Sequence, residues 1–247
     1  MDWIKPNWPV PHYVQAISTT RVGGISFPPY DSLNLGNHVQ DNPEHVAKNR
    51  ALFAKHMQMM SMPVWLNQVH GTDVVTLPLS VSVPIPEADA SFTCEVGQVC
   101  AIMTADCLSV LFCDAAGSQV AAAHAGWRGL VKGVLEQTLL HFSDPSQVIA
   151  WLGPAIGASV FEVGVEVRND FIVNDPGADI AFKVHKDRWL ADIYLLARRR
   201  LNRAGVTNIY GGDLCTVSEP HRFFSYRREN QTGRQVSCVW IDNTIKQ

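Results

Sequence analysis

Three apolar, β-prone runs lie within 26 residues of one another, and they constrain the fold more than any other feature of this chain. They are CAIMT at 100–104, LSVLFCD at 108–114 and QVAAAHA at 119–125. Apolar runs of this length between short polar stretches are typical of buried strands. Because short turns join such strands, reactive side chains between them are expected at strand ends, where sites are commonly built.

The rest of the pattern mixes strands with helices. Further strands are predicted at 14–20, 64–71, 73–77, 148–153, 208–215, 223–228 and 235–241. Helices are predicted at 43–57 after a capping Asn42, at 130–142 and at 189–201. VSVPIPEAD at 81–89 is interpreted as a loop. This order is not a regular βαβα alternation, so we expect an α+β fold with mixed sheets and helices outside.

The composition fits one folded domain. Of the 247 residues, 47% are hydrophobic and 17% are charged, which is ordinary for an enzyme and excludes a disordered chain. No repeat, low-complexity tract or linker divides the sequence. Residues 1–247 are therefore expected to form a single catalytic domain.

Charge and targeting signals limit the expected partners. The formal net charge is −3, which implies no strong attraction to nucleic acid or to an anionic membrane. No apolar run approaches the ~20 residues of a membrane helix, and the N-terminal segment lacks the pattern of a secretory signal. The six cysteines include no Cys-x-x-Cys pair. We expect a cytoplasmic protein with reduced cysteines.

Three reactive residues stand at predicted strand ends. They are His70 in NQVHG, Cys107 in TADC and His124 in HAGWRG. Two imidazoles and a thiolate are a good ligand set for zinc, and three protein ligands leave one tetrahedral position for water or substrate. Separations of 37 and 17 residues are too long for a zinc finger but suit ligands that meet at one rim.

Other interpretations of these residues stay open. A cysteine between apolar runs is more often a buried small hydrophobe, and a histidine before a glycine more often belongs to a turn. A Cys107 thiol activated by His124 would be a nucleophile with its base, which predicts a thiol hydrolase or deamidase. Gln68, Asp106 and Arg128 adjoin the three positions, and such polar neighbours favour a site in either case.

Two further segments could bind an anion. TTRVGGIS at 19–26 places Arg21 beside paired glycines, and FFSYRRE at 223–229 places Arg227 and Arg228 after two aromatic residues. The alternative interpretations are a solvated turn for residues 19–26 and a charged strand edge for residues 223–229. The chain contains neither a P-loop nor a dinucleotide-binding glycine motif.

In this order, NQVHG, TADC, HAGWRG, GPAIG-x₄-FEVG and FFSYRR make the chain resemble the YfiH/laccase-domain family, of the polyphenol oxidase and purine nucleoside phosphorylase type. The resemblance implies an α+β, layered α/β/β/α sandwich with mixed sheets, related to the catalytic domain of cytotoxic necrotizing factor. It also implies a metal, usually zinc, bound by His70, Cys107 and His124. The family often has proline where this chain has Ser109, and we expect only a local backbone effect.

The resemblance implies that purine nucleosides (adenosine, inosine and methylthioadenosine) react with phosphate to give free base and ribose 1-phosphate. Adenosine deamination is the implied side activity, and copper-dependent polyphenol oxidation and editing of a peptidoglycan precursor are implied alternatives. Arg21, Arg128, Arg227 and Arg228 could supply cations for the phosphate, with Gln68 near the substrate. An anion beside the cation-like ribose C1′ would stabilise the transition state.

Residue chemistry discriminates among these activities. Multicopper oxidases use several His-x-His pairs, and none of the nine histidines forms one, so a three-copper cluster is not expected. Copper could still enter the single His–Cys–His site, since it outcompetes zinc by intrinsic affinity. Zinc deaminases use a glutamate in an H-x-E context, but Ala125 and Gly126 follow His124 here. Asp106 is the candidate for proton transfer instead, and capping a turn is its alternative role.

Overall fold

The computed structural model describes residues 1–79 and 85–242, so positions 81–84 of the predicted loop lie outside the described residues. In these ranges the strands are β1 (Trp3–Ile4), β2 (Val14–Thr19), β3 (Val74–Thr76), β4 (Ala90–Thr93), β5 (Val99–Thr104), β6 (Leu108–Asp114), β7 (Val120–Ala125), β8 (Val148–Leu152), β9 (Glu162–Val163), β10 (Phe182–His185), β11 (Arg188–Ala191), β12 (Asn208–Gly211) and β13 (Gln235–Ile241). The α-helices there are α1 (Pro43–His56), α2 (Trp127–Lys132), α3 (Val134–Leu139), α4 (Val165–Asn174), α5 (Ile193–Arg203) and α6 (Tyr226–Glu229).

These strands form two large sheets and a small one. The first sheet has the strand order β1-β2-β13-β5 and is antiparallel. The second has the order β12-β8-β6-β7-β4-β3, with parallel pairs at its two edges and antiparallel pairs between them. The small sheet has the order β10-β11-β9. The expected α+β fold with a mixed sheet is confirmed.

Three apolar clusters separate the layers. Phe53 of α1 shares a cluster with Ala101 on one face of the first sheet. On the other face, Ile102 shares a cluster with Leu111 of the second sheet. The far face of the second sheet is covered by helical residues such as Leu135. The order is therefore helix, sheet, sheet, helix, and the two sheets bury their facing sides against each other.

The three apolar runs form β5, β6 and β7, as predicted. All residues of these three strands are buried except the last residue of β6, Asp114, which is half-buried. Burial on both faces explains why the sequence is apolar almost throughout and does not alternate. The predicted helix start is also confirmed, because the side chain of Asn42 accepts a hydrogen bond from the N–H of Glu44 at 2.9 Å.

The predicted strand at 64–71 is wrong. Among the described residues it forms two isolated bridges, Val64 with Cys100 and Asn67 with Glu87. At Gln68 the side chain, and not the backbone, pairs with the neighbouring strand. It accepts from the N–H of Met103 and donates to the C=O of Met103, both at 2.8 Å. A φ of +59° at His70 turns the chain out of the strand direction.

The predicted strand at 223–228 is also wrong. The side chain of Ser225 accepts a hydrogen bond from the N–H of Arg228 at 3.2 Å and so caps the short helix α6. The two aromatic residues favoured a strand, but a serine at this position favours the start of a helix.

Two predicted helices have different bounds. The helix predicted at 130–142 begins earlier, at Trp127, and Gly133 with φ +101° divides it into α2 and α3. The helix predicted from Trp189 begins at Ile193, because Asp192 caps it by accepting from the N–H of Leu195 at 2.9 Å. Helix α4 was not predicted.

In the part of the chain that the structure describes, no helix is long and apolar enough to cross a membrane.

Candidate metal and ligand site

The three predicted metal ligands meet beside the adjacent ends of β6 and β7. These strands are antiparallel, so Cys107, just before β6, lies near His124, at the end of β7. His70 approaches from the turn before β3. The donor atoms of the three side chains all lie within 4.8 Å of one another. Sγ of Cys107 is 3.7 Å from Nε2 of His70, and the two imidazole centroids are 4.7 Å apart. We call these three residues the ligand cluster.

A buried carboxylate, Asp89, connects the two histidine segments. Its Oδ1 lies 2.7 Å from Nδ1 of His124 and accepts a hydrogen bond from the N–H of His70 at 3.0 Å. Its Oδ2 accepts from the N–H of Val69 at 3.1 Å and of Gly71 at 2.6 Å. Since Nδ1 of His124 is occupied by Asp89, Nε2 is the nitrogen that His124 can offer to a metal.

Electrostatic coupling favours a thiolate beside an imidazolium. Burial raises the pKa of the Cys107 thiol, but the charges and hydrogen bonds of His124 and His70 outweigh it and lower this pKa to about 6. Burial lowers the pKa of His124, but Cys107 and Asp89 outweigh it and raise this pKa to about 9. Burial also raises the pKa of Asp89, yet hydrogen bonds from His124 and backbone N–H groups hold it below its usual value. The thiolate is the form that binds metals and attacks electrophiles.

Glycine at position 126 leaves space beside the ligand cluster. A Cβ atom at Gly126 would lie 2.9 Å from Sγ of Cys107 and 2.9 Å from Cδ2 of His70. Two imidazoles and one thiolate of lowered pKa suit zinc by donor type, and they also suit copper. The residues present therefore fit a bound metal of this kind.

A cavity of about 480 Å³ opens over the ligand cluster, and we call it the site cavity. Its volume lies in the range of roughly 300–1,000 Å³ that is usual for small-molecule sites. The apolar and aromatic part of its lining includes Trp127, Ile156, Phe161, Ile193 and Tyr226. A flat, partly aromatic ligand would find both stacking surfaces and polar groups in this space.

Three arginines bring positive charge to the site cavity: Arg128, Arg227 and Arg234. Arg128 is exposed, and its guanidinium carbon lies 4.4 Å from the centre of the Trp127 ring. Arg227 is also exposed and donates to the C=O of Glu162 at 2.9 Å. Arg234 is half-buried. Two of the predicted anion-binding arginines, Arg128 and Arg227, thus lie where a ligand of the cluster would bind.

Arg21 and Arg228 lie outside the lining of the site cavity. Both guanidinium groups pair with the carboxylate of Glu229 at 2.9 Å. Arg21 also pairs with Asp31 at 3.3 Å, and Arg228 donates to the C=O of Phe223 at 2.8 Å. These two charges are therefore compensated within the fold, which explains why they are not presented to a ligand there.

Gln68 and Asp106 line the site cavity, but protein groups occupy their polar atoms. The Gln68 amide is paired with the backbone of Met103. In Asp106, Oδ1 accepts from the hydroxyl of Thr216 and Oδ2 from the N–H of Arg227, both at 2.6 Å. These bonds fasten the start of α6 to the turn that carries the cysteine, so Asp106 positions the site. Its proton-transfer role stays a prediction.

Two hydroxyl side chains near the ligand cluster differ in their bonding. Thr104 lines the site cavity and is 2% exposed, yet its Oγ1 has no hydrogen-bond partner within the described residues. Ser109 lies in β6, where its Oγ is 2.7 Å from the Oγ of Ser237 in the facing sheet. Serine at position 109 is therefore compatible with an assembled cluster.

The sequence analysis did not single out four residues that lie in or beside the site: His38, Asp89, Thr104 and Arg234. Thr104 stands in TADC itself, so its position beside Cys107 was an available signal. Asp89 is a single acid directly before a β-prone run, which is a weak signal for a buried carboxylate. His38 and Arg234 stand in glycine-containing loops, where polar residues are usual and indicate a site only weakly.

Known proteins resemble this chain over nearly all of its length. The sequence profile of the family described as "Multi-copper polyphenol oxidoreductase laccase" matches residues 15–242. "Purine nucleoside phosphorylase YfiH" of Escherichia coli (strain K12) is 56% identical over 239 residues, 96% of this chain and 98% of that protein. "Purine nucleoside phosphorylase" of Haemophilus influenzae is 48% identical over 98% of this chain and 100% of that protein.

Solved structures share the fold. The crystal structure of Neisseria meningitidis protein NMB0706 has a TM-score of 0.94 and 47% identity, and the match covers 98% of this chain and 100% of that one. YlmD from Geobacillus stearothermophilus has a TM-score of 0.90 and 30% identity, with coverage of 98% and 97%. The layered arrangement of sheets and helices is therefore common to all three proteins.

Proposed function

The chain belongs to the multi-copper polyphenol oxidoreductase laccase family, the YfiH family, and we propose that it is a zinc-dependent purine nucleoside phosphorylase. The names of the relatives from Escherichia coli and Haemophilus influenzae support this activity. The proposed substrates are adenosine, inosine and methylthioadenosine with inorganic phosphate, and the products are free base and ribose 1-phosphate. Residues 1–247 would act as one catalytic domain.

One observation carries the proposal. The site cavity combines the ligand cluster, an aromatic wall and several arginines in about 480 Å³. A purine can stack on an aromatic face such as Trp127, and a guanidinium can bind phosphate through paired N–H donors. A cavity for one small apolar ligand would not need these cations.

The reaction joins a phosphate oxygen to C1′ of the ribose while the bond from C1′ to N9 breaks, and the electron pair leaves with the base. Positive charge develops on the ribose as the bond breaks. Phosphate beside Arg128 and Arg227 would stabilise that charge from the opposite face. The arginines therefore act by orientation and electrostatics, and the proton that the base takes up balances the one that the hydrogen phosphate loses.

His70, Cys107 and His124 would hold the zinc, which supplies Lewis-acid polarisation when bound. Asp89 fixes the ring of His124 so that Nε2 stays directed to the cluster. Gly126 keeps the adjacent space open.

Adenosine deamination is proposed as a side activity. It needs a group that moves a proton, and Asp106 is the candidate. Both of its oxygens already accept hydrogen bonds, from Thr216 and from the N–H of Arg227. These two bonds hold the carboxylate in place, and each oxygen keeps a second lone pair that can take up a proton.

A Cys–His hydrolase or deamidase is the second candidate, because the pKa of Cys107 is lowered to about 6 by His124 and His70 against the effect of burial. The expected kinship with the cytotoxic necrotizing factor domain and a peptidoglycan-precursor substrate belong to this candidate. A copper-dependent polyphenol oxidase is less favoured. The described part of the chain offers one cluster of three donors, which is too few for a multicopper centre.

The activity test uses zinc-loaded protein with adenosine, inosine or methylthioadenosine, each with and without phosphate. We expect base and ribose 1-phosphate in equal amounts, formed only when phosphate is present. Elemental analysis of protein purified without added metal should find about one zinc per chain. Absence of phosphate-dependent base release from the zinc-loaded protein would overturn the proposal.

A chelator and two cysteine variants separate the candidates. Phosphorolysis should be lost on chelation and restored by zinc, and Cys107→Ser should lower zinc content and activity together. A thiol hydrolase would instead survive chelation and be lost in Cys107→Ser. Cys94→Ser is the matched control, because Cys94 is exposed and does not line the site cavity.

A further inference from the structure

Arg234 lies where the site cavity adjoins a second cavity of about 350 Å³. His38, Tyr226 and Arg234 line both cavities. Arg234 directly precedes Gln235, which is the register partner of Thr104 in the β13–β5 ladder. Arg234 therefore stands at the end of the first sheet from which the chain continues toward the ligand cluster, and a small ion can reach it from two sides.

Within the described residues, no carboxylate lies at ion-pair distance from the guanidinium of Arg234. Among the ion pairs of the described residues, none includes Arg234 or Arg50. Arg50 donates to the C=O of Leu35 at 2.9 Å and lies 4.0 Å from the centre of the Trp65 ring. Both arginines are half-buried, and cations in such positions are normally paired. The uncompensated charge marks a place that an anion would stabilise.

The guanidinium of Arg234 is fixed and still has donors to offer. Nη1 donates to the C=O of Thr232 at 3.0 Å and of Gly233 at 2.9 Å. Within the described residues Nε and Nη2 have no acceptor. Because the backbone bonds fix the plane of the group, its remaining N–H donors are preorganised for two oxygens of one oxyanion.

We propose that Arg234 binds the phosphate co-substrate, on the side of the site cavity that it shares with His38. The identity of the anion rests on the proposed phosphorolysis. The exposed Arg128 and Arg227 then contribute less to phosphate affinity than the half-buried Arg234 does.

The electrostatic surroundings agree with an anion at this place. Burial lowers the pKa of Arg234, and the negative charges of Cys107 and Asp106 offset that effect only in part, so an adjacent anion would add stabilisation to the guanidinium. Burial together with the charges of Arg234 and Arg50 also lowers the pKa of His38, which keeps its ring neutral near pH 7. A neutral ring can donate one N–H to a phosphate oxygen without adding to the repulsion between the cations.

The test measures phosphate binding to the metal-loaded protein apart from catalysis. Phosphate should raise the Tm of the wild type above that in chloride at equal ionic strength, and Arg234→Gln should lose this shift. The KM for phosphate should rise about 10- to 100-fold in Arg234→Gln, with a smaller change in the KM for nucleoside. Arg234→Lys should recover part of the affinity, since it keeps the charge but loses the planar fork.

Arg203→Gln is the matched control, because its guanidinium is exposed at the end of α5 and pairs with Asp175 at 3.4 Å. It should respond to phosphate as the wild type does. A folded Arg234→Gln with an unchanged phosphate response overturns the inference, even where the wild type is an active phosphorylase. So does a wild type without a phosphate-specific Tm shift.

A wild type that binds phosphate through Arg234 but releases no base supports the anion site at Arg234 and refutes the proposed function, and with it the role of phosphate as co-substrate. If Arg234→Gln does not fold, the KM values of Arg234→Lys for phosphate and nucleoside test the inference instead. A rise in the KM for phosphate alone supports the inference, and equal rises for phosphate and nucleoside contradict it.

Discussion

Oδ1 of Asp89 lies 2.7 Å from Nδ1 of His124, and both side chains are buried. The same carboxylate accepts the N–H groups of residues 69–71, the turn that carries His70. One acidic side chain therefore sets the orientation of one metal ligand and the backbone position of another. Because this carboxylate is ionised and fully bonded, its loss affects the ligand cluster and the fold together.

Asp89→Asn should weaken zinc binding about 10- to 100-fold, the usual effect of losing a carboxylate behind a metal-binding histidine. The amide keeps the shape but cannot accept through its nitrogen, so at least one N–H of the turn loses its partner. A stability loss of about 3–5 kcal/mol is expected from breaking a buried charged pair. Zinc competition with a chromophoric chelator and urea unfolding measure the two effects. Glu87→Gln, at an exposed neighbour, should change neither.

Gly126→Ala should reduce zinc content while the protein stays folded. The backbone of Gly126 has φ −56° and ψ 154°, which alanine adopts without strain. The new methyl group would lie 2.9 Å from the sulfur of Cys107 and must displace a ligand. Elemental analysis together with circular dichroism separates metal loss from unfolding. Full zinc occupancy in this variant would contradict the arrangement described for the cluster.

The Cys107 thiol of metal-stripped protein should react with iodoacetamide at a rate that rises through about pH 6 and then levels off. A thiol of lowered pKa is thiolate above that pKa, and the thiolate is the reactive form. Adding zinc should suppress the reaction, because the metal occupies the sulfur. A midpoint near the ordinary thiol value, roughly pH 8.5, would show that the two histidines do not lower this pKa. Mass spectrometry of the labelled peptide identifies the residue.

Glu229 should make the fold sensitive to acid. Burial raises its pKa, but hydrogen bonds from Thr232, Arg21 and Arg228 outweigh that effect and hold it below the usual value. A carboxylate with a lowered folded pKa contributes stability above its unfolded pKa of about 4.3 and loses it as the pH falls through the folded value.

Glu229→Gln should therefore cost about 1–2 kcal/mol of unfolding free energy at pH 7, since the site is partly exposed to solvent, and the difference from wild type should shrink as the pH falls below the unfolded pKa of about 4.3. Urea unfolding at several pH values measures this. Glu95→Gln, at an exposed glutamate, is the control that should show no such pH dependence. A constant difference across the pH range would contradict the role given to the Glu229 carboxylate.

Much of the fold could be predicted from local pattern. Strands β5, β6 and β7 are buried on both faces, so their apolar runs are visible without knowledge of partners. The start of α1 could be predicted from Asn42, because its capping bond reaches a residue only two positions further on. By contrast, residues 64–71 have strand-like composition, but the last three of them give their N–H groups to Asp89, which is 18–20 positions away. Such a competing acceptor has no signal in the segment itself.

The ligand cluster could be predicted by residue type, and its supporting residues could not. His70, Cys107 and His124 are uncommon and reactive, so their positions at strand ends were informative. Arg21 and Arg234 are both arginines beside glycines, and only the tertiary contacts distinguish them. Glu229 compensates Arg21 across 208 positions, whereas Arg234 has no such partner among the described residues.

Thr104→Val should raise the KM for nucleoside or phosphate about 2- to 10-fold, the effect of one neutral hydrogen bond to a ligand. The hydroxyl lines the site cavity, is buried and has no partner among the described residues, so a ligand is the group that would satisfy it. Since valine has nearly the same shape, the ligand-free variant should be as stable as the wild type or more stable by about 1–3 kcal/mol, the cost of an unpaired buried hydroxyl. Thr138→Val is the matched control, with the opposite expected effect on stability. The hydroxyl of Thr138 donates to the C=O of Val134 at 2.7 Å and does not line the cavity. It should lower stability and leave both KM values unchanged. Unaltered KM values in Thr104→Val would exclude this hydroxyl from ligand binding.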